Sequence, residues 1–200
     1  MQTLADYHVV ANPALCESIR SYISLLLKWN RAISLTTVTD PLEIVKFHFG
    51  ESLFAASVVP IANGRLADVG SGAGFPGIPL RLLLPALDLV LIEANAKKSA
   101  FLSEVIRSLR LSGAEIFRER MEAIDSSRAD FDFITARALG HLDQLLSWSE
   151  SHLKKDGKLV LWLGEDDVKR ISENREWQWR GPIRIPASRK RFLLIGIPKR

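Results

Sequence analysis

The residues best suited to chemistry lie in one short segment, Asp68–Gly77, which reads D-V-G-S-G-A-G-F-P-G. This segment directly follows the apolar pair Leu66-Ala67 and contains four glycines. Glycine allows sharp turns and lets backbone N–H groups approach a ligand without an intervening Cβ. A buried strand that leads into such a loop, with a helix behind it, predicts a binding site for a nucleotide-like ligand.

Two cofactor patterns fit this loop. Gly72–Gly77 matches G-x-G-x-x-G, the dinucleotide fingerprint, and Glu93 follows Gly74 by about 20 residues. Asp68–Gly74 matches D-x-G-x-G-x-G, the loop of S-adenosylmethionine-dependent methyltransferases. In both classes an acid at the end of the second strand binds the ribose hydroxyls, so Glu93 is the predicted ribose ligand in either case.

Asp68 favours the second pattern, because a carboxylate beneath the loop repels a pyrophosphate and attracts the ammonium and sulfonium groups of S-adenosylmethionine. The first glycine after the strand is Gly70, as this pattern requires, and Gly77 then begins a helix. We therefore expect S-adenosylmethionine to contact Asp68, Gly70, Gly72 and Gly74. A dinucleotide loop and a tight turn without a ligand are the alternatives.

The first 60 residues are predicted to form a helical cap. Asn12-Pro13 and Asp40-Pro41 each combine an N-cap side chain with a proline in the first turn, which is typical of a helix start. Apolar residues recur at helical spacing after both signals. His48 lies in the second of these helical patterns, which predicts a packed or half-buried histidine.

After Gly64 the sequence changes to short apolar runs that alternate with helical stretches. The alternation indicates βαβ units, and so an α/β protein with a mostly parallel sheet, helices on both faces and one compact unit over residues 61–200. The predicted strands are Arg65–Val69, Leu87–Glu93, Ala114–Phe117, Phe131–Ala136, Lys158–Leu163 and Phe192–Ile197. The predicted helices between them are Pro76–Leu84, Lys97–Leu109 and His141–Leu153.

Composition limits the class of protein. With 200 residues, of which 47% are hydrophobic, the chain makes one substantial domain. No apolar run reaches the ~18 residues of a membrane span, and the N-terminus lacks a signal pattern. The single cysteine, Cys16, excludes an internal disulfide and fits a reducing compartment. We therefore expect a cytoplasmic protein without membrane contact, and we assign no metal ligand.

The net charge of +4 is unevenly distributed along the chain. Residues 168–200 contain ten Lys and Arg residues against Glu173 and Glu176, a balance of +8, so residues 1–167 sum to −4. A basic C-terminal segment, residues 168–200, on a mildly acidic body indicates a surface that faces a polyanion. A solvated charged face is the alternative.

Several motifs occur together in the order and spacing of one known family. They are D-V-G-S-G-A-G-F-P-G-I-P-L (Asp68–Leu80), K-K-S-A-F-L (Lys97–Leu102), R-x-E (Arg120–Glu122) and T-A-R-A (Thr135–Ala138), with Trp29-Asn30, Ser34-Leu35-Thr36 and His48–Leu53 upstream. On these residues the chain resembles the ribosomal RNA small subunit methyltransferase G family, also called glucose-inhibited division protein B, over nearly its whole length. The resemblance implies a Rossmann-like class I methyltransferase fold with a seven-stranded sheet. It also implies methylation of N7 of a guanosine in 16S rRNA. We expect the protein to be a monomer.

The resemblance assigns further site residues. Gly70 and Phe75 fall at cofactor contacts of the loop, and Met121 and Glu122 match the pair that flanks the adenine. Arg137 matches an arginine of the cofactor and substrate cleft, and we predict that it is the catalytic residue. Guanine N7 carries a lone pair and no proton, so methyl transfer requires orientation and electrostatic stabilisation but no general base. Arg137 is therefore expected to bind a phosphate or guanine O6.

The sequence departs from the family pattern at four positions. Glu93 and Glu51 replace aspartates, and Ser34 replaces an asparagine, all of which are mild chemical changes. Leu163 replaces a lysine, so a basic group expected near the RNA is missing there.

The implied partner is 16S rRNA or the small ribosomal subunit. The predicted phosphate contacts are Arg189, Lys190 and Arg191, in the basic C-terminal segment. A small-molecule methyltransferase, an NAD(P)-linked oxidoreductase and a non-catalytic RNA-binding protein are the rival interpretations.

Overall fold

The computed structural model describes residues 2–128, 130–138, 140–188 and 190–200. The N-terminal part of the chain is helical, as predicted. Its elements are α1 (Gln2–Ala5), α2 (Pro13–Asn30), α3 (Pro41–Ile44), a π-helical turn (Val45–Gly50), α4 (Glu51–Leu53) and α5 (Ala55–Val58). We refer to α1–α5 with the π-helical turn as the helical cap.

Both predicted helix starts are confirmed. The Asn12 side chain accepts a hydrogen bond from the backbone N–H of Leu15 at 2.8 Å, and Pro13 opens the first turn of α2. The Asp40 side chain likewise accepts from the N–H of Glu43 at 2.9 Å at the start of α3. These side chains satisfy N–H groups that have no partner inside the helix.

The rest of the chain forms a seven-stranded sheet in the order β3-β2-β1-β4-β5-β7-β6. The strands are β1 (Gly64–Val69), β2 (Leu87–Ile92), β3 (Ala114–Phe117), β4 (Phe131–Arg137), β5 (Leu153–Leu163), β6 (Trp177–Arg184) and β7 (Phe192–Pro198). The intervening helices are α6 (Gly77–Leu83), α7 (Ala96–Ser108), α8 (Leu142–His152) and α9 (Glu165–Ser172), with 3₁₀ turns at Met121–Ala123 and Ser126–Arg128. Strands β1–β5 are parallel, whereas β7 is antiparallel to both β5 and β6. The α/β fold with a mostly parallel sheet is confirmed.

Strand β6 and helix α9 were not predicted from the sequence, and β5 begins five residues before the predicted strand. Strand β6 contains Gly181-Pro182, and proline has no N–H to donate to a ladder. In the structure the pairing of β6 with β7 shifts register between Arg180 and Ile183 and so passes over this dipeptide. An edge strand tolerates such an interruption, and β6 is at the edge of the sheet.

Two apolar clusters cover the two faces of the sheet. On one face, residues of the helical cap such as Tyr22 and Phe49 pack in the same cluster as Phe101 of α7 and Val160 of β5. The opposite face packs α8 and α9 against the alternate residues of the strands, among them Leu161 of β5. The helical cap therefore forms part of the main core and completes one face of the sheet.

Candidate cofactor and substrate site

The glycine loop, residues 70–77, leaves β1 at the carboxyl edge of the sheet. Gly70, Gly72 and Gly74 have positive φ angles of 68°, 56° and 83°, a region in which other residues are strained. The N–H groups of Gly70 and Ser71 donate to the carbonyl oxygen of Ile92 at 2.9 and 3.1 Å. These bonds fix the loop against the end of β2, at the edge where parallel α/β sheets bind their ligands.

Asp68 supports the loop from below. Its carboxyl group is fully buried and accepts hydrogen bonds from the Thr135 hydroxyl at 2.9 Å and from the N–H of Gly77 at 3.2 Å. A Cβ on Gly77 would lie 2.8 Å from the Asp68 Cβ, so glycine is required at the start of α6. Burial raises the pKa of Asp68 to about 7, although these hydrogen bonds act in the opposite direction. The geometry gives Asp68 a role in shaping the loop, and the direct cofactor contact expected from the sequence stays a prediction.

Tyr22 of α2 holds the loop from the side of the helical cap. Its hydroxyl donates to the carbonyl oxygen of Ala73 at 2.5 Å, and its ring stacks on Phe75 with centroids 5.4 Å apart. A Cβ on Gly74 would overlap the Tyr22 hydroxyl. This role was not predicted, because in the sequence Tyr22 is only one apolar position of a helical pattern.

An acidic cavity opens on the β2–β3 side of the loop. Three glutamates outnumber a single arginine among its lining residues, and Met121, only 6% exposed, supplies an apolar surface. The cavity is lined by Val69, Gly70, Ile92, Glu93, Ala94, Glu119, Arg120, Met121, Glu122 and His141. The structure thus brings Gly70, Glu93, Met121 and Glu122 together, as the sequence analysis requires of a cofactor site.

Glu93 directly follows β2 and is linked to the glycine loop. One carboxylate oxygen accepts from the N–H of Gly72 at 2.9 Å, and the other accepts from the N–H of Asn95 at 2.8 Å. A carboxylate oxygen accepts more than one hydrogen bond, so both retain capacity for the hydroxyls of a ligand.

A basic cavity opens on the other side of the loop. Its lining contains three basic side chains and no acidic one, and it is formed by Leu35, Thr36, His48, Gly70, Ser71, Gly72, Ala73, Phe75, Lys98, Arg137, Ala138 and Arg191. Gly70 lines both cavities, so the acidic and the basic cavity meet at the glycine loop.

Arg137, the last residue of β4, faces the helical cap. Its Nη2 donates to the carbonyl oxygen of Phe47 at 2.7 Å and to Glu51 Oε2 at 2.8 Å. The side chain is 9% exposed, and burial lowers its pKa to about 10 against the opposing effect of the Glu51 carboxylate. Nη1 is buried and has no hydrogen-bond partner among the described residues. The guanidinium group therefore remains charged near pH 7, and the N–H donors of one nitrogen are unpaired among the described residues.

Glu51 is the second residue whose importance the sequence analysis missed. Its carboxylate is 2% exposed and contacts Arg137, the Ser188 hydroxyl at 2.7 Å and Arg191 Nε at 3.6 Å. Its backbone carbonyl accepts from Trp162 Nε1 at 2.7 Å. The sequence showed Glu51 only as a mild replacement of an aspartate, because its partners are 86 to 140 residues away along the chain.

His48 is half-buried, as expected. Its Nε2 lies 2.7 Å from the Thr36 hydroxyl, and its ring centroid is 4.9 Å from that of Phe75. Burial and the nearby charge of Arg137 lower the pKa of His48 to about 4. The imidazole is therefore neutral near pH 7.

The predicted RNA-contacting residues are only partly described. Arg189 lies outside the described residues, whereas Lys190 is exposed and the Arg191 side chain is 37% exposed. Leu163 is 4% exposed and packs in the apolar cluster on the face opposite the helical cap.

Two further findings concern the described part of the chain only. None of its helices is long and apolar enough to cross a membrane. It contains no group of three or more His, Cys, Asp or Glu side chains arranged to hold a metal ion.

Known structures share this fold at low sequence identity. A ribosomal protein L11 methylase from Lactobacillus delbrueckii subsp. bulgaricus superposes with a TM-score of 0.66 at 18% identity, covering 78% of this chain and 80% of its own. A precorrin-6y C5,15-methyltransferase from Geobacter metallireducens GS-15 gives 0.61 at 14% identity, covering 84% and 92%. These matches confirm the methyltransferase fold.

Sequence comparison is more specific. The model of the family described as rRNA small subunit methyltransferase G matches residues 15–181. The ribosomal RNA small subunit methyltransferase G of Xylella fastidiosa (strain 9a5c) is 37% identical over 179 residues, which cover 88% of this chain and 83% of that protein. The protein of the same name from Desulfitobacterium hafniense (strain Y51) is 37% identical over 163 residues, covering 80% and 67%. The chain belongs to the rRNA small subunit methyltransferase G family.

Proposed function

We propose that this protein transfers a methyl group from S-adenosylmethionine to N7 of a guanosine in 16S rRNA. Membership of the family supports the reaction class and the RNA substrate. The observation that carries the proposal is the meeting of an acidic and a basic cavity at Gly70. The acidic cavity suits a cofactor with hydroxyl and cationic groups, and the basic cavity suits an anionic nucleic acid.

The acidic cavity suits the adenosine part of S-adenosylmethionine. The Glu93 carboxylate would accept hydrogen bonds from the ribose hydroxyls, and Met121 would pack against the adenine with Glu122 beside it. Gly70 and Gly72 would bring the backbone close to the cofactor. The bound cofactor supplies a methyl group activated by a positively charged sulfur.

The basic cavity would receive the guanosine. Because N7 is already a nucleophile, the site has to orient the base and stabilise charge, and no residue has to remove a proton. We propose that Arg137 uses Nη1 to bind a phosphate or guanine O6. Bidentate hydrogen bonds to both O6 and N7 are excluded, because they would block the nucleophile. The low pKa of His48 supports this mechanism, because a residue that titrates near pH 4 does not govern the rate near neutrality.

The RNA would extend from the basic cavity over the basic C-terminal segment. Arg191 lines the cavity and Lys190 is its exposed neighbour, so both are suited to phosphate contacts, and we propose the same for Arg189. We further propose that the protein acts in the cytoplasm as a monomer, on the rRNA or on the small ribosomal subunit.

A methyl-transfer assay with mapping of the product tests the proposal. Labelled S-adenosylmethionine is offered with small ribosomal subunits, free rRNA and tRNA from a strain whose 16S rRNA lacks N7-methylguanosine. We expect label in 16S rRNA, recovered as 7-methylguanosine after nuclease digestion. Label in another RNA, or in another nucleoside, would contradict the proposed substrate.

A binding assay tests the cofactor separately. S-adenosylhomocysteine should raise the melting temperature, whereas NAD should not. Stabilisation by NAD alone would favour the oxidoreductase interpretation. Stabilisation by S-adenosylhomocysteine without transfer to any RNA would favour a small-molecule methyltransferase.

A further inference from the structure

We propose that Glu51 is a positioning residue for the methylation: its carboxylate orients Arg137 and connects it to the segment that faces the RNA. This inference rests on the proposed function, because it assigns Arg137 to the guanosine. It adds a role for the helical cap, since Glu51 begins α4. The residues concerned lie outside the glycine loop and outside the acidic cavity.

The two terminal nitrogens of Arg137 differ in their hydrogen bonds. Glu51 Oε2 and the carbonyl oxygen of Phe47 both accept from Nη2, at 2.8 and 2.7 Å. These two bonds fix the plane of the guanidinium group and leave Nη1 without a partner among the described residues. A buried donor without a partner is unfavourable unless a ligand or water satisfies it. Arg137 lines the basic cavity, and the carboxylate thereby determines which of its nitrogens keeps unpaired N–H donors.

Glu51, Arg137 and Arg191 form a cluster of charged side chains. Arg137 and Glu51 are 9% and 2% exposed, so their charges neutralise each other in a region from which water is largely excluded. Arg191 Nε lies 3.6 Å from the same Glu51 oxygen and is the more exposed of the two arginines. The three groups together carry one net positive charge, which suits a single phosphate or a guanine oxygen.

Glu51 also contacts the segment that we propose to face the RNA. Ser188 donates to the second oxygen of Glu51 at 2.7 Å, and Arg191 contacts the first oxygen. Both residues lie in the connection between β6 and β7, which the hydrogen bond from the N–H of Ile185 to the carbonyl of Arg191 closes at 3.1 Å. An RNA phosphate that engages Arg191 therefore acts on the carboxylate that orients Arg137. Binding of RNA and orientation of Arg137 are coupled through Glu51.

A double-mutant cycle tests the coupling. The variants are Glu51→Gln, Arg137→Lys and the double variant, with Glu51→Asp as the conservative change. Glu104→Gln is the matched control, because Glu104 is paired with Arg107 on the surface of α7, away from both cavities. For each protein, kcat and KM are measured with hypomethylated small subunits, together with the Kd for S-adenosylhomocysteine.

We expect Glu51→Gln to lower kcat roughly 10-fold or more, while the Kd for S-adenosylhomocysteine changes less than about two-fold. In the Arg137→Lys background the same change should lower kcat less than about two-fold, since residues that act through one another are not additive. Glu51→Asp should restore most of the activity, and Glu104→Gln should behave as wild type. An equal loss of kcat in both backgrounds, or a parallel loss of cofactor affinity, would overturn the proposal.

Urea unfolding of the same variants separates this inference from the proposed function. Glu51→Gln should lower the unfolding midpoint of the wild type but not that of an Arg137→Ala variant, in which the carboxylate has lost its buried partner. This measurement needs no activity. A wild type that is inactive on rRNA would refute the proposed function, and a midpoint lowered equally in both backgrounds would refute the pairing of Glu51 with Arg137.

Discussion

The ring of Tyr22 stacks on the ring of Phe75 at an interplanar angle of 5°, and the Tyr22 hydroxyl bonds the carbonyl oxygen of Ala73. Tyr22 belongs to the helical cap, whereas Phe75 and Ala73 belong to the glycine loop. The conformation of the loop that lies between the two cavities therefore depends on a helix more than 50 residues earlier in the chain. The helical cap therefore helps to shape the candidate cofactor site.

Tyr22→Phe tests this dependence. The variant keeps the aromatic stacking and removes the hydroxyl, so the buried carbonyl of Ala73 loses its partner. We expect a loss of about 1–2 kcal/mol in the free energy of unfolding and a weaker affinity for S-adenosylhomocysteine, measured by urea unfolding and calorimetry.

Tyr7→Phe is the matched control for this substitution. The Tyr7 hydroxyl is also buried, but it has no hydrogen-bond partner among the described residues. Its removal should leave stability unchanged or increase it, and cofactor affinity should not change. A Tyr22→Phe variant that binds S-adenosylhomocysteine like the wild type would show that cofactor binding does not depend on the hydrogen bond from Tyr22 to Ala73.

Glu93→Gln tests the predicted ribose contact. The substitution keeps the shape of the side chain but replaces one of two acceptor oxygens by an NH₂ group, which no longer accepts from Gly72 or Asn95. We expect the affinity for S-adenosylhomocysteine to fall about 10-fold or more, since hydrogen bonds to a charged group contribute ~1.5–3 kcal/mol. Glu115→Gln, on the surface of β3, is the control and should leave the affinity unchanged. Equal affinities for the Glu93→Gln and Glu115→Gln variants would exclude Glu93 as a cofactor ligand.

The sequence predicted the parts of the site that depend on neighbouring residues in the chain. The glycine loop, the helix that begins at Gly77 and the acid after β2 all have local signatures, because turn geometry and strand order determine them. The helical cap was predicted for the same reason, since Asn12 and Asp40 act on N–H groups three residues away.

The interactions that the sequence did not predict join distant segments. The bonds from Tyr22 to Ala73 and from Arg137 to Glu51 arise only when the helical cap is placed on the sheet. Asp68 shows the same limit: its position was predicted, but its burial and its hydrogen bond with Thr135 on β4 were not. A single sequence carries no periodic or local signal for such pairs.

Replacement of the basic residues between β6 and β7 tests the proposed RNA-contacting surface. Lys190→Ala removes an exposed charge that makes no ion pair among the described residues. We expect weaker binding to 16S rRNA at every RNA sequence, and a slope of log affinity against log salt that is smaller by roughly 1. Alanine at Arg189, Lys190 and Arg191 together should enlarge both effects while cofactor affinity stays the same.

Arg20→Ala, an exposed position of α2, is the control for that series and should leave RNA affinity unchanged. An affinity for rRNA that does not depend on salt in the wild type would contradict a phosphate-binding role for this surface.

Asp68 and His48 affect the pH dependence of stability in opposite directions. The pKa of Asp68 is raised from 3.8 to about 7, so the folded state binds the extra proton and stability falls as the pH rises from about 4 to 7. The pKa of His48 is lowered from 6.5 to about 4, so the folded state favours neutral imidazole and stability falls as the pH drops from 6.5 to 4. Between pH 4 and 6.5 the two contributions largely cancel.

Single substitutions should expose each contribution. In Asp68→Asn the amide can still accept from Gly77 and donate to Thr135, so the fold is retained, and stability relative to wild type should rise with pH between 4 and 7. In His48→Gln, stability relative to wild type should fall with pH between 4 and 6.5. Each difference should reach a few kcal/mol, at about 1.4 kcal/mol per unit of pKa shift, in urea unfolding at a series of pH values. Because each variant is compared with wild type, the titration of other groups cancels. If the free energy of unfolding of wild type and of both variants changes with pH in parallel, neither Asp68 nor His48 has a shifted pKa.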